Sequence, residues 1–234
     1  MKKTFTILIV TLAFLPESNA QVGSWSYLSG KYSISERWSA FGEIQLRSTR
    51  FYSNYHYYEY KAGLTFSIDK NFSLSCAGGQ YKTFTQGGDF LDPIVNNEFR
   101  LWQQLSLTQH HSRFKIEHRY RSEERWTING FRTRYRFRVN LLVPLNKPVV
   151  EIGVWYLSAS NEIFLVDRGT FFERNRISGL LGYQIKKHLA LQVGYLYQFD
   201  YKPDNETGIR FLQFGVQFDI KRHEHHERLP GLHD

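Results

Sequence analysis

Four arginines alternate with mostly apolar side chains over residues 131–143. Arg132, Arg134, Arg136 and Arg138 share one face of this stretch, and the opposite face is apolar along most of its length. A period of two indicates a β-strand, with successive charges on one face ~6.8 Å apart at ~3.4 Å per residue. Planar guanidinium groups pair with carboxylates and phosphates, and rings of arginine in pores select anions. This arginine column is therefore a candidate path or binding site for anions.

The elements that must position the column are predicted to be β-strands. Alternation bounded by Gly, Asn, Asp, Pro and charge clusters indicates eleven segments, and no segment has convincing helical periodicity. The segments are residues 22–35, 37–50, 55–68, 71–84, 97–109, 113–125, 130–143, 148–158, 173–186, 188–200 and 207–220. Most are longer than the ~5–6 residues usual in soluble sheets, and ~9–11 residues suffice to cross a bilayer. The sequence thus predicts an all-β fold, an antiparallel transmembrane β-barrel of about ten to twelve strands.

An eleven-strand count conflicts with the even number found in single-chain bacterial barrels. Either residues 22–35 are not a regular strand of the wall, which leaves ten strands, or the chain has a further strand that alternation does not reveal, which gives twelve. The sequence leaves both alternatives open.

Connection lengths and aromatic placement predict which face of the wall meets lipid. Short turns follow the odd segments and longer loops the even ones, the longest being residues 86–96 and 160–172, a pattern typical of outer-membrane barrels. Aromatic rings on the apolar face gather at the two ends of the strands, as expected at two lipid–water interfaces. They are Tyr58, Tyr60, Tyr120, Phe131, Tyr135, Tyr156, Tyr195 and Tyr197 at one end, and Phe66, Phe72, Phe114 and Phe218 at the other. The alternative, a soluble lipocalin-like barrel, needs fewer and shorter strands.

The first twenty residues have the layout of a signal peptide. Lys2 and Lys3 precede a short apolar run, and Ser-Asn-Ala at 18–20 forms a small-x-small cleavage site. We expect residues 1–20 to be removed, residues 21–220 to form the barrel, and residues 221–234 to be a polar, His-rich tail. The expected location is the outer membrane of a Gram-negative cell, with membrane lipid as a partner and insertion by the barrel-assembly machinery.

If the apolar face meets lipid, the polar face lines the lumen. Alternation then places these basic side chains inside: Arg47, Lys61, Arg100, Lys115, Arg119, Arg121, Arg132, Arg134, Arg136, Arg138 and Arg176. The acidic partners predicted inside are Glu43, Glu59, Glu98, Glu117, Glu123 and Glu151. The chain has a formal charge of +8, and bases outnumber acids in this lumen set as well.

Two hairpins are predicted to set the neighbours of the arginine column. Pairing Trp126 with Phe131 places Glu123 opposite Arg134. The same register gives the like-charge pairs Arg125–Arg132, Arg121–Arg136 and Arg119–Arg138. Pairing across the turn at 144–148 would bring Asn140 to Glu151, and Arg136 to Trp155 in a cation–π stack. Because like charges directly opposite each other cost stability, water, a neighbouring acid or a bound anion must screen them.

Several short motifs resemble the domain-of-unknown-function family DUF2490. They are the hairpin over residues 25–47, Arg-Thr-Arg-Tyr-Arg-Phe-Arg-Val-Asn at 132–140 before a Pro turn, Asn-Glu-Ile-Phe at 161–164, and Asn-Arg-Ile at 175–177 followed by Gly179, Gly182 and Tyr183. The resemblance covers nearly the whole chain after residue 20. It implies an outer-membrane barrel of Bacteroidetes-type bacteria, and it supplies no activity and no catalytic residues.

The sequence favours passage or binding of anionic solutes through the arginine-lined lumen, with a closed barrel as the alternative and a lipid hydrolase as a third hypothesis. A solvated basic pore would pass or bind small anionic solutes or acidic saccharides, whereas a narrow lumen filled by arginine and glutamate would make a closed structural or surface-interaction barrel. A lipid hydrolase would need a serine beside a histidine and an orienting acid. His118 is the one histidine well inside a strand, but it falls on the apolar face without a serine partner.

No enzyme activity, catalytic residue, metal site or cofactor is predicted. The tail residues His223, His225, His226 and His233 could bind Zn or Cu weakly, but Glu227 stands where an H-E-x-x-H motif needs its second histidine. Nucleic acid is not an expected partner, since secretion and the apolar opposite face both argue against it.

Overall fold

The computed structural model describes residues 21–91, 93–203 and 206–221. The expected signal peptide and residues 222–234 of the His-rich tail lie outside the described residues. The strands are β1 (Val22–Ser33), β2 (Trp38–Arg50), β3 (Ser53–Ser67), β4 (Phe72–Phe84), β5 (Ile94–His111), β6 (Phe114–Thr127), β7 (Gly130–Pro144), β8 (Trp155–Val166), β9 (Phe172–Lys186), β10 (Leu189–Asp200) and β11 (Thr207–Lys221). No helix long and apolar enough to span a membrane occurs in this described part of the chain.

The eleven strands form a single closed barrel. Each strand pairs antiparallel with its neighbours in sequence, and β1 closes the barrel by pairing parallel with β11, from Val22 beside Arg210 to Ser33 beside Lys221. This seam resolves the conflict over strand number. In a chain of hairpins the first and eleventh strands run in the same direction, so an odd barrel can close only through a parallel pair. Residues 22–33 are therefore a regular strand of the wall.

The connections divide into two sets at opposite ends of the barrel. We call the end that carries the described residues of the connections 51–52, 85–93, 128–129, 167–171 and 201–206 the upper end. The lower end carries residues 34–37, 68–71, 112–113, 145–154 and 187–188. The prediction that short connections share one end and long ones the other is wrong, because each end has two-residue turns and one connection of nine or ten residues.

Side chains alternate between an apolar outer face and a polar lumen. Large apolar side chains point outward and are exposed, among them Ile44, Tyr60, Leu64, Tyr120 and Tyr135. Most charged side chains of the same strands, such as Glu43, Lys61 and Arg121, point inward and are buried. The barrel therefore reverses the arrangement of a soluble protein, whose apolar side chains are inside.

Strand β8 differs most from its prediction, which placed it at residues 148–158. Residues 145–154 instead form an irregular connection, in which Asn146 accepts a hydrogen bond from the backbone of Trp155 and donates one to the carbonyl of Gly153. The strand begins at Trp155 with the opposite alternation, since a shift of one residue exchanges the two faces of a strand. Tyr156, predicted on the outer face, is fully buried in the lumen, and residues 160–166, predicted to be loop, belong to the strand.

Candidate functional site

Glu123 is the central acceptor of the charged lumen. Strand register places it directly opposite Arg134, which donates from Nε at 2.8 Å and from Nη2 at 2.5 Å to one carboxylate oxygen. Arg136 donates to the other oxygen from Nη1 at 2.6 Å. The Glu123 side chain is 0% exposed. One carboxylate thus holds two neighbouring members of the arginine column in charge-assisted hydrogen bonds.

Glu162 is a second central acceptor, which sequence reasoning missed because it fell in a predicted loop. It lies opposite Arg138 on β7, and its Oε1 accepts from Arg136 Nε at 2.9 Å and from Arg119 Nη2 at 2.5 Å. The signal that could have found it is the alternation of Tyr156, Ser158, Ser160 and Glu162 along β8, all on one face.

Further carboxylates extend this network around the barrel. Glu98 accepts from Arg125 and from Arg100, the latter at 2.9 Å. The other ion pairs are Arg47–Glu59 at 3.1 Å, Lys61–Glu43 at 2.7 Å, Lys61–Glu59 at 3.0 Å, Arg138–Glu117 at 3.2 Å and Lys115–Glu117 at 3.9 Å. Apart from Arg132, the predicted basic lumen residues and the acids other than Glu151 have mostly buried side chains. An ion-pair network therefore occupies the part of the lumen that these residues line.

The predicted register of β6 and β7 is the one observed. Arg119 faces Arg138, Arg121 faces Arg136, and Arg125 faces Arg132 across the two strands. Glu162 screens the first two of these pairs and Glu98 the third. The screening is incomplete at Arg119, whose Nε and Nη1 are buried without a hydrogen-bond partner. Cations are thus in excess over the carboxylates that reach them.

Aromatic rings in the lumen stack against several of these guanidinium groups. Arg47 lies 3.4 Å above the ring of Trp25, Arg100 lies 3.7 Å above Tyr81, and Arg121 lies 3.8 Å above Trp102. The predicted stack of Arg136 on Trp155 is not formed, because β8 has the opposite alternation. Arg136 lies 4.6 Å from the ring of Phe164 instead, and Arg176 lies 4.7 Å from the same ring. Cation–π contacts supply part of the stabilisation that carboxylates do not.

The prediction of Glu151 as a lumen acid is wrong. Glu151 lies in the 145–154 connection at the lower end, where it is exposed and forms an ion pair with Lys147 at 2.8 Å. The same connection carries Val150 and Val154 into the barrel, where both are buried, and Val150 packs against Leu142 and Tyr156. An apolar cluster therefore fills the lower end of the lumen beside this connection.

Between the two ends of the barrel, the lumen faces of β10, β11 and β1 carry uncharged side chains, and we call this part of the barrel the neutral wall. Tyr27 on β1 donates to the side-chain carbonyl of Gln192 on β10, and Gln192 Nε2 donates to Tyr156 Oη at 2.9 Å. The ring of Tyr27 covers Gly215, and the ring of Tyr156 covers Gly182; a Cβ on either glycine would overlap the ring. Trp25, Leu196 and Phe211 pack beside Tyr27.

The upper mouth of the lumen has a second cluster that sequence reasoning missed. Glu173 would point outward in a regular strand, but the pairing of β8 and β9 slips between Phe164 and Leu165, and Glu173 is the residue left unpaired by this bulge. Its carboxylate reaches Arg134 at 3.1 Å, Arg125 at 3.4 Å and Arg132 at 3.5 Å. Beside it, Arg174 donates to Asp200.

The described ranges contain no candidate metal site. Groups of three or more His, Cys, Asp or Glu able to hold a metal are absent from these residues. His118 lies on the outer face, as predicted, where its ring stacks on that of Phe137 with centroids 6.4 Å apart. The chemistry that the lumen offers is charge pairing between guanidinium groups and oxyanions.

Comparison with known proteins identifies a family without assigning a role. No curated protein and no solved structure matches the chain. One family model, described as "Protein of unknown function (DUF2490)", matches residues 22–208, which is most of the chain. The motifs at 132–140, 161–164 and 175–183 lie within this match and are parts of β7, β8 and β9, respectively. The chain therefore belongs to the DUF2490 family.

Proposed function

We propose that this protein is an outer-membrane β-barrel whose lumen is closed by its own charged side chains, so that it acts as a structural or surface-interaction barrel rather than a pore. The outer face supports the membrane environment. It exposes aliphatic and aromatic side chains around the wall, whereas soluble proteins rarely expose apolar patches of this extent. A signal peptide at residues 1–20 and insertion by the barrel-assembly machinery are part of the same proposal.

The proposal that the lumen is closed rests on the burial of its charged side chains. Glu123, Arg119 and Arg134 are 0%, 1% and 3% exposed, and each is bonded to a partner on the adjacent strand or the next but one. A hydrated anion path would leave such guanidinium groups accessible to water, as in pores lined by charged rings. The apolar cluster of Leu142, Val150 and Tyr156 obstructs the lower end further.

The membrane environment is tested by the behaviour of the purified protein. The barrel should require detergent or lipid to stay monodisperse, because its outer face would otherwise aggregate. A monodisperse sample in detergent-free buffer would overturn this part of the proposal.

Closure is tested by osmotic swelling of vesicles that contain the protein. Vesicles should not swell in small neutral sugars or in small organic anions, whereas vesicles with a general porin should. The open-pore alternative predicts swelling in anionic solutes, and it predicts loss of this anion preference when Arg134 and Arg136 are both replaced by Glu. Swelling that follows that pattern would replace the closed barrel with an anion pore.

A further inference from the structure

The cluster at the upper mouth has the form of an anion-recognition site. Three arginines from adjacent strands, Arg125 and the column members Arg132 and Arg134, converge on the single carboxylate of Glu173. A β-bulge turns this carboxylate into the lumen, and such bulges are common at barrel rims, where they re-aim a side chain. Glu173 therefore occupies the position that an oxyanion from solution would take.

The three arginines are not equally committed to carboxylates inside the barrel. Arg125 also donates to Glu98, and Arg134 also donates to Glu123, so both are held in place from below. Arg132 has the longest of the three ion pairs with Glu173, at 3.5 Å, beyond the range of a good hydrogen bond. Its Nε is buried without a hydrogen-bond partner.

Arg132 is also the accessible member of the group. Its side chain is 37% exposed, compared with 4% for Arg125 and Arg134. A ligand approaching the upper end would therefore meet a guanidinium group that is open to water, is only weakly paired with Glu173, and is backed by two fixed positive charges. Guanidinium forks of this kind suit the paired oxygens of phosphate and carboxylate groups.

We propose that Arg132, supported by Arg125 and Arg134, binds a phosphate or carboxylate group presented at the upper end, and that Glu173 competes with this ligand for the same guanidinium groups. The site rests on the proposed function only in that the upper mouth must face water. Binding at this site requires no passage through the lumen, so the site would remain a valid proposal even if the barrel proved to be open.

The test uses the whole barrel in detergent micelles, with inorganic phosphate and acetate as probes and chloride at equal ionic strength as the reference. A ligand that binds the folded state raises the unfolding temperature in a saturable way. We expect such a rise with phosphate or acetate over chloride, and the two probes distinguish phosphate from carboxylate preference. No saturable rise with either probe would overturn the site.

Variants distinguish a specific site from general charge attraction. Arg132→Gln should weaken binding about tenfold or more, as loss of a charge-assisted hydrogen bond implies. Arg50→Gln is the matched control, since Arg50 is an exposed arginine beside the 51–52 turn at the same end. Glu173→Gln should tighten binding by removing the competitor. Equal weakening by Arg132→Gln and Arg50→Gln, or weaker binding in Glu173→Gln, would contradict the proposal.

Discussion

The charged wall formed by β6, β7 and β8 and the neutral wall formed by β10, β11 and β1 fill the same lumen by different means. In the charged wall, carboxylates such as Glu123 and Glu162 each hold two arginines. In the neutral wall, the rings of Trp25 and Tyr27 pack with Phe211, and Tyr27 covers a glycine on the neighbouring strand.

The difference indicates what each wall depends on. Ion pairs hold the charged wall in shape, but removing one partner leaves a buried charge without compensation. The weak points of this wall are the carboxylates, because the arginines outnumber them. The neutral wall depends on shape, because the rings fit only where no Cβ intervenes. Arg176 on β9 joins the two walls, since it lies 4.9 Å from the ring of Trp25 and 4.7 Å from the ring of Phe164 on β8.

The largest effect is expected for Glu123→Gln. The variant removes the charge that holds Arg134 and Arg136, and loss of one partner of a buried ion pair costs roughly 3–5 kcal/mol. Urea unfolding in lipid vesicles measures the change in unfolding free energy. Glu124→Gln is the control, since Glu124 lies on the opposite face of β6 from the buried Glu123 and Arg125. Equal losses of unfolding free energy in the two variants would contradict the expectation that lumen carboxylates stabilise the barrel more than carboxylates on the outer face.

An intermediate effect is expected for Gly215→Ala in the neutral wall. The added methyl group would overlap the Tyr27 ring, and overpacking of this kind costs about 1–3 kcal/mol. Gly30→Ala is the matched control, because nothing lies within 4 Å of a Cβ built there. The same unfolding measurement applies. Unchanged stability in Gly215→Ala would mean that ring-on-glycine packing does not hold this wall.

The smallest effect is expected for Arg119→Met. Two of the guanidinium nitrogens of Arg119 have no hydrogen-bond partner, and its loss leaves Glu162 bonded to Arg136, so the unfolding free energy should change by less than about 1 kcal/mol. Arg134→Met should cost roughly 3 kcal/mol, because Glu123 loses two hydrogen bonds. A larger loss in Arg119→Met than in Arg134→Met would show that cations are not in excess.

The hairpin of β6 and β7 shows what local sequence could predict. Its turn is the two residues 128–129, and alternation on both strands is strong, so the register was predictable pair by pair from Trp126 and Phe131. Closure of the barrel by pairing of β1 with β11 could not be predicted in this way. Alternation identified residues 22–35 as a strand, but their parallel partner lies at the far end of the chain, beyond the reach of local pattern.

The connection between β7 and β8 shows where local pattern fails. Two prolines, Pro144 and Pro148, suggested a tight turn, but the chain forms a ten-residue connection whose folding depends on tertiary contacts, such as hydrogen bonds from Arg113 to the carbonyls of residues 144 and 145. The assumed tight turn therefore led to the wrong predictions that Glu151 lies in the lumen and that Glu162 lies in a loop. Glu173 was missed because a bulge, which no alternation rule predicts, turns it inward.

Single-channel recording in planar lipid bilayers tests the closed lumen most directly. The wild-type barrel, with its insertion verified independently, should give no resolved conductance steps, because the charged side chains of the lumen, such as Glu123 and Arg134, are buried against one another. Stable, anion-selective steps from the wild-type protein would contradict the account.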